Sequence, residues 1–228
     1  MIVYGKQIFL YLLEKHPDLI EEIYLAKEID KKLFSKISSL KVDIKRVDTK
    51  KAQAMSRGGN HQSFLLKVKD FEYSLFGDIK EGDFVLVLAG LTDVGNIGAI
   101  IRSAYSLGVT GVVISMVNSI NLAAVARTSS GALFDMPVAL VKDIGGVINE
   151  LKQASFTVYC ADMSGKDVRD VSFSSKKALV LGSEGQGLTN KILKSCDNKI
   201  KIQMQREFDS LNVSVACAIL CDRMRDGK

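Results

Sequence analysis

Residues 84–115 read FVLVLAGLTDVGNIGAIIRSAYSLGVTGVVIS. An unbroken apolar run at 84–89 meets Gly90 and a polar turn. A stretch with helical spacing of apolar residues follows over 97–107, and then a second apolar run at 111–115. Runs without polar alternation fit strands buried on both faces, and two of them joined through a helix make a parallel β-α-β unit. Moving outward, further apolar runs lie at 137–141, 156–161, 178–182 and 199–204. Helical stretches separate them at 122–127, 144–154 and 190–195, and a last one runs from about 212 to 224. The pattern predicts an α/β fold over residues 84–228, with a parallel sheet flanked by helices.

Towards the N-terminus the rhythm is shorter. Helical spacing at 7–15 and 31–40, and strand-like runs at 22–26, 42–47 and 64–68, predict a small separate α/β domain over residues 1–70. Residues 56–62, rich in chain breakers, read as a mobile loop, and 71–83 read as a linker. The charge divides the same way. The chain carries 31 basic and 26 acidic residues, a net +5. Residues 1–70 hold 14 basic against 9 acidic residues and thus the whole excess. It is densest in Lys31, Lys32, Lys36, Lys41, Lys45, Arg46, Lys50, Lys51 and Arg57, set against Asp43 and Asp48. Such a cluster suits a phosphate backbone, and it equally suits a solvated lysine-rich surface; charge alone does not choose.

Composition excludes several classes. At 47% hydrophobic and 25% charged, the chain has the balance of a globular protein. No eighteen-residue apolar stretch suggests a membrane span, and the first twenty residues lack the pattern of a secretory leader, so a cytoplasmic location is expected. Cys160, Cys196, Cys217 and Cys221 form no CxxC pair, and the two histidines, His16 and His61, lie far from them in sequence. The cysteines therefore read as buried small hydrophobes, and no metal site is expected.

A parallel sheet places ligands beyond the carboxyl ends of its strands. Three loops stand out there: 90–98, the glycine-rich 182–188, and 204–212. Neither GxxxxGK[ST] nor a GxGxxG after the first strand is present. Glycine loops without a phosphate signature point to an adenosyl ligand that lacks phosphates.

These loops carry a resemblance. Residues 93–104 (DVGNIGAIIRSA), 179–188 (LVLGSEGQGL) and 210–216 (SLNVSVA) resemble, in order, the three motifs of the SpoU family of RNA ribose methyltransferases. Residues 1–70 resemble the substrate-binding domain fused to some members, through Tyr4-Gly5-Lys6, Ile23-Tyr24-Leu25 and His61-Gln62. The arrangement is nearest to the bacterial 23S rRNA guanosine 2′-O-methyltransferases. The resemblance implies a trefoil knot in the catalytic domain, a homodimer, and S-adenosylmethionine held at Gly182, Gly185, Ile202, Met204 and Leu211. It implies catalytic roles for Asn96, Arg102, Glu184, Ser210 and Asn212. The concentration of net charge in residues 1–70, taken as a phosphate footprint, places RNA capture there, at Lys31, Lys32, Lys36, Lys41, Lys45, Arg46 and Arg57.

Arg102 is the residue implied to activate the ribose hydroxyl. Two readings of its state stay open: removal of the proton, against arginine's very high pKa, or a permanent cation that clamps phosphate and stabilises an alkoxide. Simple structural roles also exist, with Asn96 or Ser210 capping helices and Arg102 lying on a helix surface. One departure from the family is visible. Gln203 stands where a proline is common, and bulky charged residues follow Met204. The alternatives to an rRNA enzyme are a tRNA ribose methyltransferase of the same family and a non-catalytic RNA-binding or ribosome-assembly factor.

Overall fold

The structure, a computed structural model, describes residues 1–183, 185, 187–206 and 210–225. Two sheets organise it. The N-terminal sheet is built from β1 (Ile2–Tyr4), β2 (Ile20–Leu25), β3 (Asp43–Arg46) and β4 (Phe64–Val68), in the order β1-β4-β2-β3. β4 runs antiparallel to both neighbours, and β2 and β3 are parallel. Helix α1 (Lys6–Lys15) buries Ile8, Phe9, Leu12 and Leu13, a stripe with the spacing of a helix face. Helix α2 (Lys31–Ser38) begins where Asp30 accepts a hydrogen bond from Leu33 N at 2.9 Å. Helix α3 (Thr49–Met55), capped likewise by Asp48, buries Ala52 against Tyr24 and Leu65.

Both β1 and α3 escape the sequence reading. A three-residue strand is too short to show alternation, and α3 has few apolar positions. The segment expected as a mobile loop is a compact turn: Ser56 is buried, and its hydroxyl donates to the carbonyls of Gln53 and Gly59.

The segment expected as a linker contains the single-turn helix α4 (Phe76–Ile79), whose Ile79 is buried. A Cβ added at Gly111 would sit 2.7 Å from the Ile79 Cγ2 methyl, so the side chain seats directly on the next sheet. That sheet has six strands, all parallel: β5 (Phe84–Ala89), β6 (Gly111–Ser115), β7 (Val138–Val141), β8 (Thr157–Asp167), β9 (Lys177–Gly182) and β10 (Asn198–Lys201). Their order is β10-β8-β9-β5-β6-β7.

Helices cover both faces of this sheet, and β5 shows why its sequence is uniformly apolar. Leu86 and Leu88 face α5 (Val94–Ser106), α6 (Leu122–Thr128) and α9 (Val213–Arg225), while Val85, Val87 and Ala89 face α7 (Ile144–Gln153) and α8 (Asn190–Ser195). Each buried leucine or valine of this strand contributes roughly 1.5–3 kcal/mol. Cys160, Cys217 and Cys221 are buried and Cys196 half-buried, in keeping with a packing role.

The two units share one core. The cluster holding Ile8, Phe9 and Leu12 of α1 is continuous with that holding Ile97, Ile100 and Leu133. At the seam Tyr11 Oη donates to Asp135, and His16 Nε2 lies 3.1 Å from the same carboxylate. Among the described residues no helix is long and apolar enough to cross a membrane.

Candidate functional site

Chain order reverses around β5. The strands step outward through β6 and β7, then cross to β8, return to β9 beside β5, and end at β10. Crevices form at such a reversal, beyond the carboxyl ends of the strands. A cleft of about 610 Å³ opens there, walled by the end of β9, the middle of β8, the exit of β10 and the start of α9. Its lining is mostly apolar, including Leu181, Ile200 and Leu220. Its charged side chains among the described residues are Asp162 and Lys201. Bonds from the hydroxyl and backbone N–H of Ser164 hold the Asp162 carboxyl below the usual carboxylate range.

The loop after β9 is shaped by its glycines. Gly187 N donates to Ser183 O at 3.0 Å, folding the loop back on itself. A Cβ on Gly182 would lie 2.4 Å from the carbonyl carbon of Gly187, so no larger residue fits without backbone movement. Gly185 sits at φ 83, where side chains are strained. The backbone of this loop thus forms one wall of the cleft.

All five residues expected to hold a cofactor, Gly182, Gly185, Ile202, Met204 and Leu211, line this one cleft, and so does Ser210. Asn96 and Asn212 meet at its edge, where Asn212 Nδ2 donates to Asn96 Oδ1 at 2.9 Å across 116 residues of sequence. The capping alternative for Asn96 is excluded: Asp93 caps α5, accepting from Asn96 N at 2.7 Å. Asn212 does cap, since its Oδ1 accepts from Ser214 N at 3.0 Å at the start of α9.

Arg102 is not part of the cleft lining. It lies six residues beyond Asn96, about 9 Å along the helix axis, and its exposed guanidinium donates to Ser130 Oγ at 3.3 Å. Glu184 falls outside the described residues. Lys31, Lys32, Lys36, Lys41, Lys45, Arg46 and Arg57 are all exposed, most of them on α2 and on β3 at the outer edge of the N-terminal sheet.

Sequence reading missed Asp162, Met163 and Lys201 as lining residues. Their signal was weak because β8 continues past Ala161 through polar residues, which pair with β10 across a register shift at Lys199/Ile200.

The chain is similar to known proteins over both units. Residues 83–222 match the SpoU rRNA Methylase family, and residues 2–74 match the RNA 2′-O ribose methyltransferase substrate-binding domain. A Staphylococcus aureus protein assigned to the TrmH family of tRNA/rRNA methyltransferases is 33% identical over 218 residues, 90% of this chain and 87% of its own. Among solved structures, the AdoMet-bound rRNA methyltransferase of Sinorhizobium meliloti superposes with a TM-score of 0.77 at 21% identity, covering 99% of this chain and 86% of that one. The A. aeolicus TrmH/SpoU tRNA modifying enzyme superposes with a TM-score of 0.58 at 22% identity, over 67% of this chain and 81% of that one. With more than half its length in the catalytic family and a full-length relative, the chain belongs to the SpoU family of RNA methyltransferases.

Proposed function

We propose that the chain transfers a methyl group from S-adenosylmethionine to a ribose 2′-hydroxyl of RNA, at a guanosine of 23S rRNA. One observation carries the reading most directly: the residues of the second and third motifs converge on a single cleft, and Asn212 ties the first motif to its edge. The cleft volume lies within the range of small-molecule sites. The glycine wall lets a flat ligand approach the backbone, the apolar lining suits an adenosyl group, and the sequence holds no GxxxxGK[ST] phosphate loop. S-adenosylmethionine would supply an electrophilic methyl group on a sulfonium.

The chain's own residues then have separable tasks. Gly182, Gly185, Ile202, Met204 and Leu211 hold the cofactor. Ser210, Asn212 and Asn96 orient groups at the edge of the cleft, and Glu184 joins them in the motif-based assignment. Arg102, with a permanent charge and five donors, holds RNA phosphate and stabilises charge developing on the ribose oxygen. Most of the rate then comes from alignment and electrostatics rather than covalent participation.

Within one chain Arg102 stands apart from the cleft, and we read the working unit as a knotted homodimer. The rRNA target is supported by the match to the S. meliloti rRNA enzyme across both units, against the shorter match to the tRNA enzyme.

The test is methyl transfer from labelled S-adenosylmethionine to 23S rRNA and tRNA transcripts, with the product mapped by its resistance to alkaline cleavage. Label at a 2′-oxygen of 23S rRNA is expected. Label on a base would overturn the ribose assignment, and label only on tRNA would overturn the rRNA one. At a hundredfold excess over Kd, the cofactor should stabilise the fold by roughly 2.7 kcal/mol.

A further inference from the structure

The lysines that hold the chain's excess charge and the arginine assigned to the ribose lie far apart. β3 is the outer edge of the N-terminal sheet, and β1 is the edge packed on α6 of the catalytic unit. Three strand spacings, roughly 14 Å, separate those edges. The end of the sheet offers an RNA strand held at both places a short route between them.

Two hollows lie along that end, at the carboxyl ends of β1 and β2 and under the turn 58–63. The first, about 410 Å³, is rimmed by Lys27, whose carbonyl accepts from Arg46 Nη1 at 2.8 Å. The second, about 260 Å³, lies in the seam between the units, with Lys6 and Tyr4 on one side and Arg127 and Ser130 on the other. Asn60 and Gln62 line both hollows, so the two are adjacent. Ser130 ends the path, because its hydroxyl accepts from Arg102. Ser130 stands at φ 56, an unfavourable region for its side chain, which marks a position held by its surroundings.

The chemistry of the groove is uniform. Arg127 lies over the ring of Tyr4 at 5.3 Å, and both Arg127 and Lys6 are exposed. No carboxylate lines either hollow among the described residues. Between the cations the walls offer amides and an imidazole, which are groups that hydrogen-bond base edges.

We propose that this seam groove carries the single-stranded ribose–phosphate backbone from the basic edge of the N-terminal sheet to Arg102, with Lys6 and Arg127 as its phosphate contacts. The proposal rests on the reading of the chain as an RNA methyltransferase and adds the route by which its substrate reaches the reacting residue.

The test measures binding of the full-length protein to an in vitro 23S rRNA transcript, with a tRNA transcript in parallel, as a function of salt. Lys6→Gln and Arg127→Gln should each reduce the steepness of the log–log salt dependence by about 0.7, and the double variant by about 1.4, the single-strand value per phosphate contact. Affinity should fall several-fold with each change, S-adenosylmethionine binding should be unchanged, and Lys191→Gln on α8 should alter nothing.

Arg127 also touches Tyr4 across the seam, so Arg127→Gln lowers the melting temperature under a purely structural role too. Lys6, whose side chain makes no hydrogen bond or ion pair across the seam among the described residues, separates the two cases. Wild-type binding with unchanged slopes in both single variants would overturn the groove alone. A wild type that binds S-adenosylmethionine but no RNA would overturn the functional reading along with it.

Discussion

At Gly182 and Gly185 the same residue type answers two different demands. Gly182 is needed for space, because a Cβ there would strike the Gly187 carbonyl carbon at 2.4 Å. Gly185 is needed for conformation: it has open space around its Cβ position but a φ of 83. Gly182→Ala should therefore displace the cleft wall itself, costing about 1–3 kcal/mol of stability and most of the cofactor affinity. Gly185→Ala should cost about 1–2 kcal/mol and leave cofactor affinity closer to wild type. Equal losses of affinity in calorimetric titrations of the two variants would contradict this division.

Arg102 makes the opposite kind of prediction, since it touches RNA and not the cofactor in our reading. Arg102→Ala should abolish methyl transfer while keeping cofactor affinity within a few-fold. Arg102→Lys should fail as well, because a point charge does not reproduce the planar fork. Near-native turnover in either variant would remove Arg102 from the catalytic set.

The β2–β3 pair shows how an element changes what its residues offer. Glu22 on β2 takes hydrogen bonds from Lys45 of β3, from the Tyr24 hydroxyl and from Lys67 of β4. Lys45 leads in lowering its pKa from 4.5 to about 2. A depressed carboxyl pKa contributes stability that is present above the unfolded value and lost as pH falls through the folded one. The stability difference between wild type and Glu22→Gln should thus be flat above about pH 5. It should shrink between pH 4.5 and about 2. A difference that stays constant through acid unfolding curves would show the ion pair to be idle. The same pairing means that a phosphate contact at Lys45 would compete with Glu22.

Elements also show what sequence carries. β5, β6 and α8 are legible because burial on both faces, or a Thr189 cap followed by apolar spacing, leaves a local mark. β1 and the polar half of β8 are not, since they exist through pairing with distant strands, and α3 is not, since it has few apolar positions. For the site, residues of the second and third motifs line one cleft. The seam groove was illegible, because Lys6 and Arg127 come to line one hollow only through docking of the two units.

On the scale of the whole molecule, the boundary between units is a packed seam. Phe71 stacks edge-on against Phe134 at 6.3 Å, Ser74 N donates to Val138 O at 2.8 Å beside β7, and Ile79 seats on Gly111. Residues 72–82 thereby belong physically to the catalytic sheet, even though they follow the small unit in sequence. A fragment of residues 72–228 should fold and bind S-adenosylmethionine, with a lowered melting temperature because the surface under α1 is uncovered. A fragment of residues 83–228 should be less stable again by about 2–5 kcal/mol, the usual cost of removing a buried isoleucine from its seat. In the full chain, Ile79→Ala should reproduce most of that second loss while leaving RNA affinity intact, since Ile79 lies in the core cluster of α7 and α8 and lines neither hollow of the seam. Denaturant titrations of the two fragments and the variant decide the matter. Equal midpoints for 72–228 and 83–228 would show that α4 is a tether that adds nothing to the core under α7 and α8.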